Sequence, residues 1–560
     1  MSLKTNLHKA ADWIRHNWLS ILTDAYVRTP GLMLLLLAMQ VIVPYYMYVH
    51  IRPWSIPEGV MRASAILVAN SIIFSWLVLT IYNLLKRAGK IVSGVWLTVV
   101  LICFFANWLL DFGLVTIYNQ EFNRGIAAVL LASNIDESCN FLYAYLNGSL
   151  VVSFILYLVT FVALYFIGSI LIGKYLYRYL HKRSSSFGKV LRYAALAVLV
   201  ISLIYSTISV KSKMADTNIV GKITEFVKID PGHPIVPQHP QLNIDSSDSP
   251  LNIVVIIGES HSSTHSALYG YDKPNQPLLT KMVADSSLFV FDSPVASELH
   301  TIECLEHMIG TYDGEKDKNW YECLTFLEVA NLAGYKTVWL SNQSAKGFHE
   351  NPITKIAEYC NEVEFTNDGI HKRKEFDEEL FPIIDKHLTP DIKTLTVIHL
   401  QGSHIDYNQR SPQAYKHFTA DDYDLPTAKQ KDVIAAYDNS VLYNDYVVST
   451  IMKKYSSGDA IVIYLSDHGQ DLFQSSSDFF GHAKPNNAAS AKAALAVPFY
   501  VYLSPEFKRL HPQLTARIES STHTPPHLTN LIYTLMDLMG CSFPNNNTVA
   551  ANTFFRPDTK

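Results

Sequence analysis

Five long apolar stretches crowd the first two-fifths of the chain and decide its class before any motif does. They run over Pro30–His50, Arg62–Leu85, Val95–Tyr118, Leu150–Tyr175 and Val190–Ser209. About 20 apolar residues in a helix cover the ~30 Å hydrocarbon core of a bilayer, and each stretch approaches or exceeds that length. One such run alone reads equally well as a buried helix of a large soluble domain. Five in succession, separated by short polar loops, read as a membrane domain over residues 1–209.

Basic residues set the expected orientation, because cytoplasmic loops carry an excess of Lys and Arg. Lys4, Lys9, Arg15 and Arg28 precede the first run, and Lys86, Arg87 and Lys90 separate the second from the third. Lys174, Arg178, His181, Lys182, Arg183, Lys189 and Arg192 crowd the junction after the fourth. Asp111, Glu121, Asp136 and Glu137 fall on the opposite side. The alternation predicts a cytoplasmic N-terminus and, after five crossings, a C-terminal part outside the cytoplasm. The polar-rich residues ahead of the first run and the spans behind it argue against a cleavable signal peptide. Residues 119–149 are too polar to cross and too apolar for a free loop, so they read as an interfacial helix on the outer face or as a plain connecting helix.

The 560 residues allow two or three domains. A formal net charge of −5 makes no case for a nucleic-acid partner. Residues 210–250 are rich in Pro, Ser and Asp and read as a linker. Behind them, apolar runs at 251–258, 336–341, 394–400, 460–466 and 497–504 alternate with helix-like stretches such as LTFLEVANLAG and LTNLIYTLMDLMG. That alternation predicts an α/β domain with a mostly parallel central sheet over residues 251–560. The charged segment 344–392, with His349 and His371, reads as a solvated excursion, or else as a wall of a substrate entrance.

In parallel sheets, ligands gather beyond the carboxyl ends of the strands. Here those ends deliver Glu259 and Ser260, then Gly402, Ser403 and His404, then Asp467 and His468. Each residue alone is an ordinary turn former or a satisfied polar group. Together, oxygen donors with one or two imidazoles suit zinc, with manganese also compatible.

At this point the sequence resembles the bacterial inner-membrane phosphoethanolamine transferases. The segment GESHSSTHSALYGYDKPNQP is similar to that family's GE(S/T)…(S/N)LYGY…(T/N)xP, and HTIECLEHMI, VIHLQGSH, AAYDNSVLYNDYV, YLSDHG and FFGHAKP follow in the family's order. The resemblance implies five transmembrane helices followed by a periplasmic domain like those of sulfatases and alkaline phosphatase. It further implies a multi-pass monomer in the inner membrane and phosphatidylethanolamine as the donor lipid. The implied acceptor is lipid A, the lipopolysaccharide core or a periplasmic glucan. Carried over position by position, Glu259, Thr301, Asp467 and His468 are the implied metal ligands, with Thr301 also the catalytic nucleophile. His404 and His482 are implied to bind substrate or additional metal, and Asn134 and Glu137, in LLASNIDES, to meet the lipid donor.

A threonine hydroxyl stays protonated at neutral pH, and a divalent metal beside it lowers its pKa. A helix N-terminus would add backbone N–H groups for an incoming phosphate. The chain departs from the relatives that carry CGT…PC around the nucleophile, having LHTIECLEHM instead. A helix N-cap is the structural role open to Thr301, and Ser260, Ser262, Ser263, Thr264 and Ser297 are neighbouring hydroxyls. Two other readings stand beside the main one: a glycerol-phosphate transferase of the lipoteichoic acid synthase type, and an inactive envelope sensor or scaffold. No C-x-P-x-R or S-x-P-x-R segment marks a true sulfatase near Thr301. Cys139, Cys304, Cys323, Cys360 and Cys541 would meet an oxidising compartment, and Cys304 with Cys323 is one pairing the spacing permits.

Overall fold

A computed structural model describes residues 29–50, 57–114, 148–172, 193, 196–203, 241–245, 250–314, 320–344, 356–367, 376–477, 479–482, 487–544 and 546–556. The chain divides into two compact units, one of Met1–Ala128 with Tyr145–Thr224, the other of Val129–Ala144 with Glu225–Lys560. The interfacial helix expected over 119–149 lies outside the described residues but for its last two, and with it Asn134 and Glu137. So does most of the 210–250 linker.

The first unit is helical, with α1 over Pro30–His50, α2 over Pro57–Ala88, α3 over Lys90–Gly113 and α4 over Gly148–Ile167, the last continuing into a π-turn at Gly168–Ile172. Among the described residues, three helices are long and apolar enough to cross a membrane, at Leu67–Lys86, Lys90–Gly113 and Leu150–Ile170. The apolar part of α1, Pro30–Val43, is shorter, and residues 196–203 are helical inside the fifth expected span. Three of the five expected spans therefore contain a described helix long and apolar enough to cross.

Lipid tails are as apolar as Leu, so packing and polar contacts must hold such helices together. A Cβ on Gly168 would lie 2.7 Å from the Pro30 carbonyl oxygen and 2.8 Å from Gly31 Cα, so only glycine permits that approach of α4 to α1. Trp108 of α3 is buried with Phe105, Phe112, Phe154, Tyr157 and Phe161 around it at ring separations of 5.1–5.9 Å. Gln40 Nε2 donates to Ser75 Oγ at 3.0 Å, linking α1 to α2.

The second unit is built on a seven-stranded sheet. Its strands are β1 (Asn252–Gly258), β2 (Leu288–Val290), β3 (Lys336–Ser344), β4 (Glu362–Asn367), β5 (Thr394–His399), β6 (Ala460–Ser466) and β7 (Phe499–Leu503), in the order β2-β7-β6-β1-β5-β3-β4. Strands β4, β3, β5, β1 and β6 run parallel; at one edge β7 pairs antiparallel with β6, and β2 pairs antiparallel with β7, which returns it to the direction of the other five.

Side chains alternate across a strand, and here both faces are dry. Ile253, Val255 and Ile257 enter one core with Leu305 and Met308, while Val254 and Ile256 enter the other with Val447, Val448 and Ile451. Burial on both faces is why these strands read as continuous apolar runs. All five predicted runs are strands.

Two strands escape that pattern. Leu288–Val290 is only three residues long, and Glu362–Asn367 is an edge strand carrying Glu362 and Glu364 outward. The latter, with a helix at Leu380–His387, corrects the reading of 344–392 as a solvated excursion; His349 and His371 lie outside the described residues. Charge on an edge strand guards it against pairing with another chain, and here it hid the strand.

Two helices flank the carboxyl end of this sheet. α5 (Thr301–Met308) lies over the first core, and α6 (Ala428–Lys454) covers the second, begun by a capping box between Thr427 and Gln430.

Candidate metal centre

Strands β1 and β6 are parallel neighbours in unbroken register from Asn252↔Ala460 to Gly258↔Ser466. The next residue on each is a carboxylate, so Glu259 and Asp467 emerge one strand spacing apart, about 4.8 Å. Both are buried, as is His468. Between them sits Ser260, at φ +59, a left-handed conformation uncommon outside glycine. Its N–H donates to Asp467 Oδ1 at 3.0 Å and its hydroxyl to Glu259 Oε1 at 2.6 Å, so one residue touches both carboxylates.

Thr301 is the first residue of α5. The N-cap position belongs to His300, and the threonine hydroxyl makes a different set of contacts: Glu259 Oε2 at 3.2 Å, Glu259 Oε1 at 3.5 Å and His468 Nε2 at 3.3 Å. His468 Nε2 is itself 3.5 Å from Glu259 Oε1 and 3.4 Å from Asp467 Oδ2. The four residues Glu259, Thr301, Asp467 and His468 thus share one small buried space. Of the neighbouring hydroxyls, Ser262 is bonded to Thr264 and Ser297 donates to the Cys304 carbonyl.

The donor set fits a divalent cation. His468 Nδ1 lies 2.8 Å from the Gly469 carbonyl oxygen, which can only accept, so the proton sits on Nδ1 and the Nε2 lone pair faces the carboxylates. Asp467 Oδ2 is buried without a hydrogen-bond partner, while Oδ1 is held by the N–H groups of Ser260 and His468. Burial, and then the Asp467 carboxylate, push the Glu259 carboxyl well above its ordinary range. A site that concentrates buried negative charge in this way takes up protons or a cation.

His482 Nε2 is also buried without a partner. The ligand atoms of Glu259, His468 and His482 all lie within 4.8 Å of one another, so His482 belongs to the centre itself and not only to its rim. Its ring meets that of His468 edge-on at 4.5 Å and that of His300 at 5.4 Å. Burial, then the charges of His468, His300 and His404, hold it well below the usual histidine range. Burial, then Arg410 and His468, bring His404 down to about 3, and its Nδ1 has no hydrogen-bond partner. These imidazoles are neutral donors at pH 7.

Gly402 closes the floor of the site. At φ +52, any Cβ there would stand 2.7 Å from the Glu259 carbonyl oxygen and 2.8 Å from its nitrogen. The following Ser403 N–H donates to that same carbonyl at 2.9 Å. His300 is the residue that sequence reasoning overlooked; its only signal was its place beside Thr301. Cys304 and Cys323 are both buried and no disulfide joins them, so that pairing is not formed.

An α/β unit with helices on both faces of its sheet, and with paired carboxylates, a histidine and a hydroxyl at the sheet's carboxyl edge, defines a class of metal-dependent enzymes that act on phosphate or sulfate esters. The sulfatase family model matches residues 251–541, more than half of the chain, and the chain belongs to that family. Several of its relatives are named phosphoethanolamine transferases. The chain is 25% identical to phosphoethanolamine transferase EptC of Escherichia coli strain K12 over 500 residues, covering 85% of this chain and 84% of that one. It is 31% identical to phosphoethanolamine transferase EptA of Helicobacter pylori over 274 residues, 46% of this chain and 49% of that one. Among solved structures, the zinc complex of the periplasmic domain of E. coli EptC matches with a TM-score of 0.53 at 25% identity, over 58% of this chain and 91% of that domain. The full-length lipooligosaccharide phosphoethanolamine transferase A of Neisseria meningitidis has the same fold, with a TM-score of 0.60 over 94% of this chain and 99% of that one, at 18% identity.

Proposed function

We propose that this protein transfers phosphoethanolamine from phosphatidylethanolamine to a cell-envelope glycolipid or glycan, with Thr301 as the nucleophile and zinc as the resident ion. The observation that carries the reading is the Thr301 hydroxyl, 3.2 Å from Glu259 and 3.3 Å from His468 at the start of a helix. Relatives whose own names specify lipid A, such as the Kdo(2)-lipid A phosphoethanolamine 7''-transferase of Salmonella typhimurium, support a phosphorylated lipid as acceptor, with core sugars and periplasmic glucan as the other acceptors.

Zinc, when bound by Glu259, Thr301, Asp467 and His468, supplies positive charge that favours the threonine alkoxide and offsets charge on phosphoryl oxygens. Glu259, 3.2 Å away, takes the hydrogen bond from the Thr301 hydroxyl and orients it. The helix N-terminus directs backbone N–H groups at the arriving phosphate. As the Thr301 Oγ–P bond forms, the bond from phosphorus to diacylglycerol breaks, and the proton that the Thr301 hydroxyl gives up along its hydrogen bond to Glu259 ends on the departing alkoxide. In this reading His404 and His482 hold phosphate oxygens, and His482 also shares the ion. A sugar phosphate or hydroxyl on the acceptor then attacks phosphorus and frees Thr301. Asn134 and Glu137 are proposed donor contacts. The inner-membrane location, the periplasmic side for the catalytic unit and a monomeric state complete the reading.

The test is capture of the covalent stage. Purified full-length protein incubated with phosphatidylethanolamine vesicles, without acceptor, should yield a tryptic peptide carrying phosphoethanolamine on Thr301. Thr301→Ala should give no adduct and no transfer. A glycerol-phosphate adduct from phosphatidylglycerol vesicles would replace this reading with the lipoteichoic-type alternative, and no adduct from either lipid would favour the scaffold.

A further inference from the structure

Helix α6 carries AAYDNSVLYNDYV, a motif whose polar residues the transfer chemistry leaves without a task. Each reaches a different segment. Asp438 takes hydrogen bonds from Tyr271 and Tyr423, Asn444 from Tyr464, and Asp445 from the N–H groups of Leu278 and Leu279. Tyr437 reaches the metal centre. Its buried phenol donates to the Ser260 carbonyl at 2.7 Å and accepts from the Ser262 N–H at 2.8 Å. The ring is fixed by edge-on contacts with Tyr407 at 4.9 Å and His265 at 5.6 Å.

Three residues on, and so on the same face of the helix, Ser440 Oγ is hydrogen-bonded to Ser403 Oγ at 2.8 Å. Ser403 N–H in turn holds the Glu259 carbonyl. Two contacts one helical turn apart therefore approach Glu259 from the two loops that flank it.

Resting on the metal-centre reading, we propose that Tyr437, seconded by Ser440, is a positioning residue that sets the spacing of the two ligand carboxylates. Ser260 touches both of them, through its N–H and its hydroxyl, and does so from a left-handed conformation. A non-glycine residue keeps such a conformation only when its surroundings over-determine it. Tyr437 supplies that constraint, closing the 260–262 turn with one oxygen that both donates and accepts. Without it, Ser260 relaxes toward ordinary φ, its N–H leaves Asp467 and its hydroxyl leaves Glu259. The phenol touches neither ion nor substrate; it acts through Ser260.

Tyr437→Phe removes that single oxygen and keeps the ring. Its zinc dissociation constant, measured on the full-length protein by competition with a chromophoric chelator, should rise roughly tenfold. Turnover should fall while KM for donor vesicles stays within about twofold, since the lipid is not contacted. Tyr423→Phe is the control. It removes a buried phenol bonded to Asp438, one residue along the same helix, and should leave zinc affinity within about twofold of wild type. A folded Tyr437→Phe protein that holds zinc as tightly as wild type overturns the proposal, as does equal weakening in Tyr423→Phe. Should Tyr437→Phe fail to fold, Ser440→Ala decides in its place: weaker zinc binding supports the proposal and unchanged binding overturns it. If wild type shows no phosphoethanolamine transfer at all, the transfer reading fails, and the zinc comparison still decides the role of Tyr437.

Discussion

Glu259 is the residue on which the centre's pH behaviour turns. Its carboxyl is raised well above 4.5 by burial and by Asp467, so a proton and a metal ion compete for the same oxygens. Apparent zinc affinity should therefore fall as pH drops toward 4.5, with protons released on binding; calorimetry in two buffers of different ionisation enthalpy reads that release directly. The sign for stability runs the other way in metal-free protein. A carboxyl with a raised folded pKa binds protons more readily in the folded state, so the chelated protein should lose stability as pH rises above 4.5. Gly402→Ala should destabilise by about 1–3 kcal/mol, because it forces a side chain into left-handed backbone against Glu259, and denaturant titration would measure it. The ligand carboxylates were legible in the sequence because strand ends are legible. His300 was not, and His482 was named only through the family resemblance, because the strand it follows, Phe480–Gly481, is two residues long and leaves no apolar run to read.

Elements were read well where burial is symmetric and poorly where it is not. β1, β5 and β6 are buried throughout and mostly apolar, and declared themselves; β4 alternates Glu with Val and Phe at an exposed edge and did not. Its charges are engaged with the end of the Leu380–His387 helix: His387 Nδ1 is 2.7 Å from Glu362 Oε2 and its Nε2 3.0 Å from Glu364 Oε2, with Lys386 2.7 Å from Glu364 and Lys336 2.8 Å from Glu362. Hydrogen bonds, from Lys336 above all, lower the Glu362 carboxyl, and those from Lys386 and then His387 lower Glu364. Depressed carboxyls stabilise above their unfolded pKa and lose that contribution as pH falls through the folded value. The Glu362→Gln, Glu364→Gln double variant should thus be less stable than wild type at pH 7 by no more than about 1 kcal/mol, given how exposed the pairs are. The two proteins should converge below about pH 4 in urea melts. Thr427→Ala, which opens the capping box of α6, should cost about 1 kcal/mol in the same assay.

For the whole molecule, composition alone separated a membrane half from an outer half, because apolar length is the one signal that needs no tertiary context. The lipid-facing half and the ion-binding half are distinct compact units, which predicts separable functions. Residues 241–560 made alone should bind zinc with near full-length affinity, yet transfer phosphoethanolamine from vesicles at least tenfold more slowly, since the donor no longer shares a bilayer with the enzyme. Equal rates for the two proteins on vesicles would remove the membrane half from the reaction.

The seven-residue ladder between β1 and β6 has a further consequence. The backbones that carry the carboxylate pair hang from main-chain hydrogen bonds, so the sheet fixes where the two side chains start and the Ser260 turn fixes where their oxygens meet. Slipping one rung would turn a ligand into the packed interior and abolish ion capture outright. Loops beyond the pair are under no such restraint. Acceptor preference is thus free to drift in evolution by loop exchange, while the ion cage changes only by wholesale loss.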